Sequence, residues 1–256
     1  MATPERAARL PAGIERAWGL RPLPRKGPKP GLDLDAIVGA AVGLAQTEGL
    51  SAVAMSRVAS ALGVSTMALY GYVEGKDELL ALMVDHACGP PPEPATAADA
   101  SWRGGLAQWA TVLFDGYRRH PWAVRIPISG APPTPNQVAW LEAGLCCLAT
   151  TELSQQQRLS TVLLLSVFVR SEAALALDLA EARQQGVAAS PGSADYGHLI
   201  RQLIDPERFP GVWAAAATGA FEDDAGVEGE FRFGLDRILD GIAVLLSRDG
   251  VRSATP

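Results

Sequence analysis

Three cysteines and three histidines in 256 residues leave little material for a metal centre or for thiol chemistry. Cys146 and Cys147 are neighbours that point about 100° apart on a helix, and Cys88 lies near His86 without any C-x-x-C or paired-histidine spacing. All three are expected to be buried as small hydrophobes, with no metal and no cofactor implied. No apolar run approaches the roughly 20 residues of a membrane span; the longest, residues 162–169, is interrupted by Ser166. The N-terminal stretch MATPERAARL has no apolar core of the kind a signal peptide needs. The expectation is a soluble, cytoplasmic protein with no membrane partner. No G-x-S-x-G, H-E-x-x-H, Walker loop or G-x-G-x-x-G occurs, which argues against an enzyme. His120, within HPW, reads as a helix border before it reads as a general base.

Apolar residues make up 48% of the chain, enough to fill a substantial core. Net charge is −6, unevenly placed. Residues 1–30 hold seven Arg or Lys against two Glu, so +5; the other 226 hold fifteen against twenty-six, so −11. A basic arm precedes an acidic body. RPLPRKGPKPG, residues 21–31, has four prolines and two glycines and reads as an extended tether. Its Arg25, Lys26 and Lys29 are candidates for phosphate contacts, the alternative being a solvated tail.

Strand-like alternation and internal repeats are absent, so the chain reads as all-α. A first helix starts at the N-cap Asp33, with Ile37, Ala40, Ala41, Leu44 and Ala45 on one face and Gly49 as its stop. A second covers 55–62, and a third runs from the N-cap Ser65 to about residue 73, with only Gly63 allowing the sharp turn between them. A fourth opens near Lys76. Residues 89–100, Pro- and Ala-rich, read as a linker. Further helices are expected at 101–119, 121–128, 135–150, 154–184, 196–204 and 228–247, with a loop at 185–195. The organisation that follows is a basic flexible arm at 1–31, a four-helix unit at 32–88, a larger helical domain at 101–248, and a tail at 249–256.

Two helices joined by a one-glycine turn, the second short and headed by Ser65, follow the plan of a unit that lays its second helix in the DNA major groove. Leu69 and Val73 anchor that helix to the core. Ser65, Thr66, Met67, Ala68, Tyr70, Gly71 and Tyr72 remain for DNA: a threonine hydroxyl or a methionine can meet base edges, and tyrosine hydroxyls can donate to phosphates. In this reading Thr66, Met67 and Tyr72 face bases while Tyr70 and Lys76 hold phosphates, Lys76 beside the N-terminal amides of its helix. Ser56 and Arg57, near the start of the preceding helix, complete the set.

These same residues resemble the tetracycline-repressor (TetR) family of bacterial regulators. The likeness rests on Ala36-Ile37…Ala41, Glu48-Gly49-Leu50, Val58-Ala59, Leu62-Gly63-Val64-Ser65, Leu69-Tyr70-Gly71-Tyr72-Val73 and Lys76-Asp77-Glu78-Leu79. It extends more weakly into residues 140–175, which look like the entry to a long dimerisation helix. The resemblance implies a homodimer whose N-terminal domains bind a double-stranded, palindromic DNA operator and whose C-terminal domain binds a small-molecule effector. Two departures stand out. Ala54 occupies a position where relatives cap the second helix with Ser or Thr, so Ser56 would cap a turn late. Arg125-Ile126-Pro127-Ile128 replaces the segment that supplies a metal-holding histidine in tetracycline-binding members, which argues against a tetracycline–magnesium effector.

Trp109, Phe114, Tyr117, His120, Trp122, Trp140 and Phe168 could wall a site for a flat, apolar ligand; ordinary core packing is the alternative. For the dimer, Leu164 and Phe168 on the nearly all-apolar helix and Leu235, Leu239, Ile242 and Leu246 on the last one suggest a four-helix interface. Both helices could instead serve one protomer's core. A rival to the regulator is a helical interaction module that has kept the fold without binding DNA. Residues 33–88 favour it, since seven acidic residues face only Arg57 and Lys76.

Overall fold

The structure, a computed structural model, describes residues 10–20, 32–93, 101–128, 130, 133–184, 193–221 and 226–253. Among these residues there are eleven α-helices and no strand: α1 (Ala12–Ala17), α2 (Leu34–Glu48), α3 (Met55–Leu62), α4 (Thr66–Tyr70), α5 (Lys76–Cys88), α6 (Trp102–Arg119), α7 (Pro135–Cys147), α8 (Gln155–Gln184), α9 (Ser193–Leu203), α10 (Pro210–Ala217) and α11 (Gly226–Ser253). Short 3-10 turns cover Leu50–Ala52 and Pro121–Arg125.

The helix ends follow local chemistry. Asp33 accepts the Ala36 N–H at 2.7 Å and starts α2, while Gly49 leaves it with φ +84°. Gly63 closes α3 at φ +64°, ψ +34°, the left-handed conformation that turns the chain sharply before α4 begins at Thr66. Ser154 and Gln157 form both halves of a capping box before α8, with the side chain of each bonded to the main-chain N–H of the other.

Two apolar cores result. The first joins α2, α3, α4 and α5 around Ile37, Val58, Leu69, Val73, Leu79 and Met83. It also takes Ile14 from α1 and Trp122, Ala123 and Ile126 from beyond α6. The second lies among α6, α7, α8 and α11 around Leu106, Trp109, Leu165, Val169 and Leu239. Within it Phe114 stacks on Phe231 at 4.2 Å between centroids, and Phe168 lies 5.7 Å from Phe231. Gly234 lets α8 and α11 approach this closely, because a Cβ there would lie 2.6 Å from the Phe168 ring. Tyr117 packs against both cores.

Four features differ from the sequence reading. The helix expected at 121–128 is a 3-10 turn that stops at Arg125, since Pro127 disfavours a helical residue before it and Ile126 is extended. α1 lies inside the stretch expected to be a flexible arm. Pro11 sits at its N-cap position, and Ile14 is buried against α5, which supplies the tertiary packing a six-residue helix needs. α10 has no counterpart in the expected helices, because an alanine run begun by Pro210 has helix propensity but little apolar–polar contrast. Cys146 is exposed and Cys147 half-buried, so the expectation that all three cysteines are buried is corrected; Cys146 lies on the outer face of α7 beside Glu142.

Candidate functional site

α3, Gly63 and α4 present one continuous surface. Leu69 is fully buried and ties α4 to the first core, so the other faces of this short helix point outward. Met67 is 76% exposed and Tyr70 48% exposed; Thr66 and Ala68 are half-buried at its sides. Ser65 and Gly71, at the two ends, are exposed, and Ser65 makes no side-chain cap bond. Lys76 is exposed at the first position of α5. Ser56 and Arg57 are exposed on α3, and Ala54 stands at its N-cap position with no side-chain cap. The Arg57 guanidinium is held by Glu48 at 2.7 Å. Arg25, Lys26 and Lys29 lie outside the described residues.

Tyr72 is a correction. Rather than facing outward it is 6% exposed, and its hydroxyl donates to the Leu32 carbonyl at 2.8 Å. The cause is the early end of α4. The helix stops at Tyr70 instead of near residue 73, and the chain turns through Gly71, so Tyr72 and Val73 both enter the first core. Gly71 itself keeps right-handed helical dihedrals, φ −68° and ψ −20°, so the turn does not depend on a glycine conformation.

A small cavity lies between the two cores, with Ala87 and Cys88 of α5 on one side and Val112, Leu113, Gly116 and Tyr117 of α6 on the other; Ala123 and Trp140 close it. Its lining is almost wholly apolar, and its space suits about one water molecule. Burial, and then the nearby Asp85, push the Cys88 thiol up to about 12, so it stays protonated at neutral pH. Burial raises the Tyr117 hydroxyl as well, with Cys88 adding to the shift and the Arg170 guanidinium opposing it.

Of the seven aromatic and histidine candidates, only Tyr117 and Trp140 line this cavity. Trp109 stands behind Trp140, edge-on at 5.7 Å, with its indole N–H on the Trp140 carbonyl at 2.9 Å. Phe114 and Phe168 belong to the stack on Phe231. Trp122 is buried in the first core, with its indole N–H donated to Gln46 at 3.1 Å. His120 lies 5.8 Å from the Trp122 ring and outside the cavity wall. Large aromatics were the sequence signal for a pocket, but large aromatics also fill cores. Ala87, Cys88 and Gly116, which shape the actual cavity, carry no such signal.

The cavity adjoins a tightly bonded junction between the cores. The Arg170 guanidinium on α8 donates to the carbonyls of Val124 at 2.7 Å and Ile126 at 2.6 Å, fixing the 3-10 turn that carries Trp122. The Asp85 carboxylate on α5 accepts the Gln137 N–H at 3.0 Å and the Asn136 side chain at 3.2 Å, which ties it to the first turn of α7. Trp140 donates to the Gly89 carbonyl at 3.0 Å. At this junction burial holds the His120 imidazole below its ordinary value, with Arg119 and His86 adding to the effect.

The six dimer candidates separate. Leu235, Leu239 and Ile242 are buried in the second core of their own protomer, because the apolar stripe of α11 packs on α6 and α8. Phe168 and Leu246 are half-buried against the same core, and Leu164 is 51% exposed. The exposed apolar side chains include Leu159, Leu163, Val167, Leu175 and Leu179, which with Ser171 recur at every fourth residue of α8; Phe233 and Val244 are exposed on α11. Such a row is the i±4 ridge by which two helices pack. Among the described residues no group of three or more His, Cys, Asp or Glu could hold a metal, and no helix is long and apolar enough to cross a membrane.

Comparison with known proteins agrees with this architecture. Residues 37–83 match the family described as bacterial regulatory proteins, tetR family, and residues 93–246 match the tetracyclin repressor-like C-terminal domain. The chain is 35% identical over 242 residues to the HTH-type transcriptional repressor DrrR1 of Streptomyces coeruleorubidus, covering 94% of this chain and 88% of that protein. It is similar in structure to ActR of Streptomyces coelicolor. Apo ActR superposes with a TM-score of 0.70 at 25% identity, over 87% of this chain and 100% of ActR. ActR in complex with actinorhodin gives 0.70 at 27% identity, over 85% and 98%. With α3–Gly63–α4 in place at one end and a helical domain at the other, the chain belongs to the TetR family of helix-turn-helix transcriptional regulators.

Proposed function

We propose that this regulator is a repressor, that it works as a homodimer on a palindromic operator, and that an apolar, aromatic small molecule releases it. The observation that carries the reading is the placement of the cavity. Its walls are α5, which follows the recognition helix α4 directly, and α6, which leads into the Trp122 turn inserted in the first core. A molecule larger than water must part these walls, and parting them moves α5 or withdraws Trp122. Either motion changes the spacing of two α4 helices in a dimer, and two half-sites about 34 Å apart tolerate little change. The effector must bind the parted form more tightly, since equal affinity for both forms shifts nothing.

Support for an aromatic effector comes from the apolar lining with Tyr117 and Trp140, and from ActR, solved with actinorhodin and with (S)-DNPA. Repression is supported by the name of DrrR1, a transcriptional repressor. In the dimer, the exposed ridge of α8 with Phe233 and Val244 of α11 would meet its own copy about a two-fold axis. On the DNA side, Met67, Thr66 and Tyr70 from α4 and Lys76 from α5 are the contact set, with Ser56, Ser65 and Ala68 around them.

The interaction-module reading keeps one observation in its favour: Arg57, one of two basic residues against seven acidic ones in 33–88, is occupied by Glu48. A single experiment separates the two. The purified full-length protein is used to select fragments from a random DNA pool. A regulator recovers a palindromic site, whereas an interaction module enriches nothing.

A further inference from the structure

The N-terminal helix α1 lies outside both segments that match the family, and nothing in the proposed function uses it. Its bonds are concentrated on the residues that follow the recognition helix. The Glu78 carboxylate, 8% exposed on the first turn of α5, accepts the main-chain N–H of Gly13 at 2.6 Å and of Ile14 at 3.1 Å. Its second oxygen accepts the N–H of Glu74 in the turn between α4 and α5. Glu74 in turn accepts the N–H of Ala12 at 3.1 Å. Arg16 donates to the Tyr72 carbonyl at 2.5 Å, and its guanidinium lies 5.5 Å from the centre of the Tyr72 ring. At the far end of α1 the Trp18 indole N–H donates to the Pro133 carbonyl at 2.6 Å, just before α7.

We propose that α1 is a clamp whose Gly13, Arg16 and Glu78 contacts position the recognition helix, and whose Trp18 contact links that clamp to α7. The positioning part rests on three facts. The Tyr72 and Glu74 contacts fall within residues 71–75, which connect α4 to α5, and α4 has only five residues, too few to hold its own direction. Three main-chain donors converge on one buried carboxylate, and such charge-assisted bonds are short and directional. Gly13 is fitted to it, because a Cβ there would stand 2.9 Å from Glu78 Oε1 and 3.1 Å from Leu82 Cδ1. The link to α7 gives the cavity a second route to α4. Trp140 of α7 lines the cavity, the first turn of α7 is bonded to Asp85, and the residue before its N-cap is bonded to Trp18. This part rests on the regulator reading; the clamp itself does not.

Amide hydrogen exchange of the full-length protein, without DNA, tests the clamp. Arg16→Ala removes the bond to Tyr72 from a partly exposed side chain and leaves both cores intact. Exchange in residues 70–75 should rise about tenfold, the effect of losing one charge-assisted bond. Arg16→Lys, which keeps a charged donor, should recover part of the protection. Gly13→Ala should raise exchange in the same segment by forcing Glu78 aside. A second arm measures affinity of Arg16→Ala for the DNA fragment the wild-type protein selects, and a loss of about tenfold is expected. Unchanged exchange with either variant overturns the clamp. So does weakened DNA binding with unchanged exchange, because Arg16 would then be touching DNA. A wild-type protein that selects no DNA counts against the regulator reading, and the exchange arm decides the clamp by itself.

Discussion

The carboxylate of Asp85 on α5 accepts the main-chain N–H of Gln137, 52 residues later in the chain, at 3.0 Å. A residue of the DNA-binding end thus caps the first turn of a helix that lines the cavity between the two cores. Asp85 is 7% exposed, so water does not replace a lost partner there. Changing Asp85 to Ala should cost about 1–3 kcal/mol, because the Gln137 N–H and the Asn136 amide lose their acceptor. Asp85→Asn keeps one acceptor oxygen and should cost less. Urea unfolding of both variants checks the order.

Trp122 is the largest side chain that the turn after α6 inserts into the first core, and it is 5% exposed. Trp122→Ala should destabilise the protein by about 3–5 kcal/mol, as large-to-small changes at buried aromatics do. Because the indole anchors the turn after α6 in the first core, the thermal transition should also divide in two. A single sharp transition at nearly the wild-type temperature would show that the junction does not depend on it.

His120 sets a pH dependence. Burial, Arg119 and His86 lower its pKa in the folded state, so the unfolded chain binds the proton more readily. The stability from neutral His120 is present above the ordinary histidine value of about 6.5 and is lost as pH falls from there through the folded value. His120→Gln should flatten the stability profile below about pH 6.5 relative to wild type. An unaltered profile would assign the acid sensitivity to other groups.

Charged substitutions distinguish the outer ridge of α8 from the inner stripe of α11. Leu163→Glu with Val167→Glu, at positions 64% and 51% exposed, should give a folded monomer at micromolar concentration. Leu239→Glu, at a position 1% exposed, should prevent folding, since it buries an unpaired charge. Sedimentation and circular dichroism separate these outcomes. A dimer that survives both ridge changes would rule out this face.

Much of this architecture is legible in the chain itself. Asp33, Gly49, Gly63 and the Ser154–Gln157 pair mark helix ends through bonds among near neighbours in sequence, and the structure makes those bonds. What the sequence hides depends on contacts from far away. Tyr72 has the spacing of an outward residue, but its hydroxyl finds Leu32, 40 residues earlier, once α4 ends at Tyr70. Leu239 and Ile242 form an apolar stripe that a partner helix or the protomer's own core could equally cover, and periodicity does not distinguish the two. α1 does have a local signal, in Pro11 followed by Ile14, Ala17 and Trp18 at helical spacing, yet its stability comes from Glu78, more than 60 residues away.

In the proposed function, occupation of the cavity between α5 and α6 weakens operator binding. The most direct measurement is the affinity of the full-length protein for its selected operator as an aromatic compound that binds the protein is titrated in, with Cys88→Leu as the comparison. Saturating compound should weaken operator binding by at least about fivefold, the lower end of ordinary coupling. Release through the cavity also requires that Cys88→Leu, which enlarges a side chain on the cavity wall, loses the response to the compound. Operator affinity that stays within about twofold at saturation, with the compound bound at Tyr117 and Trp140, would contradict it.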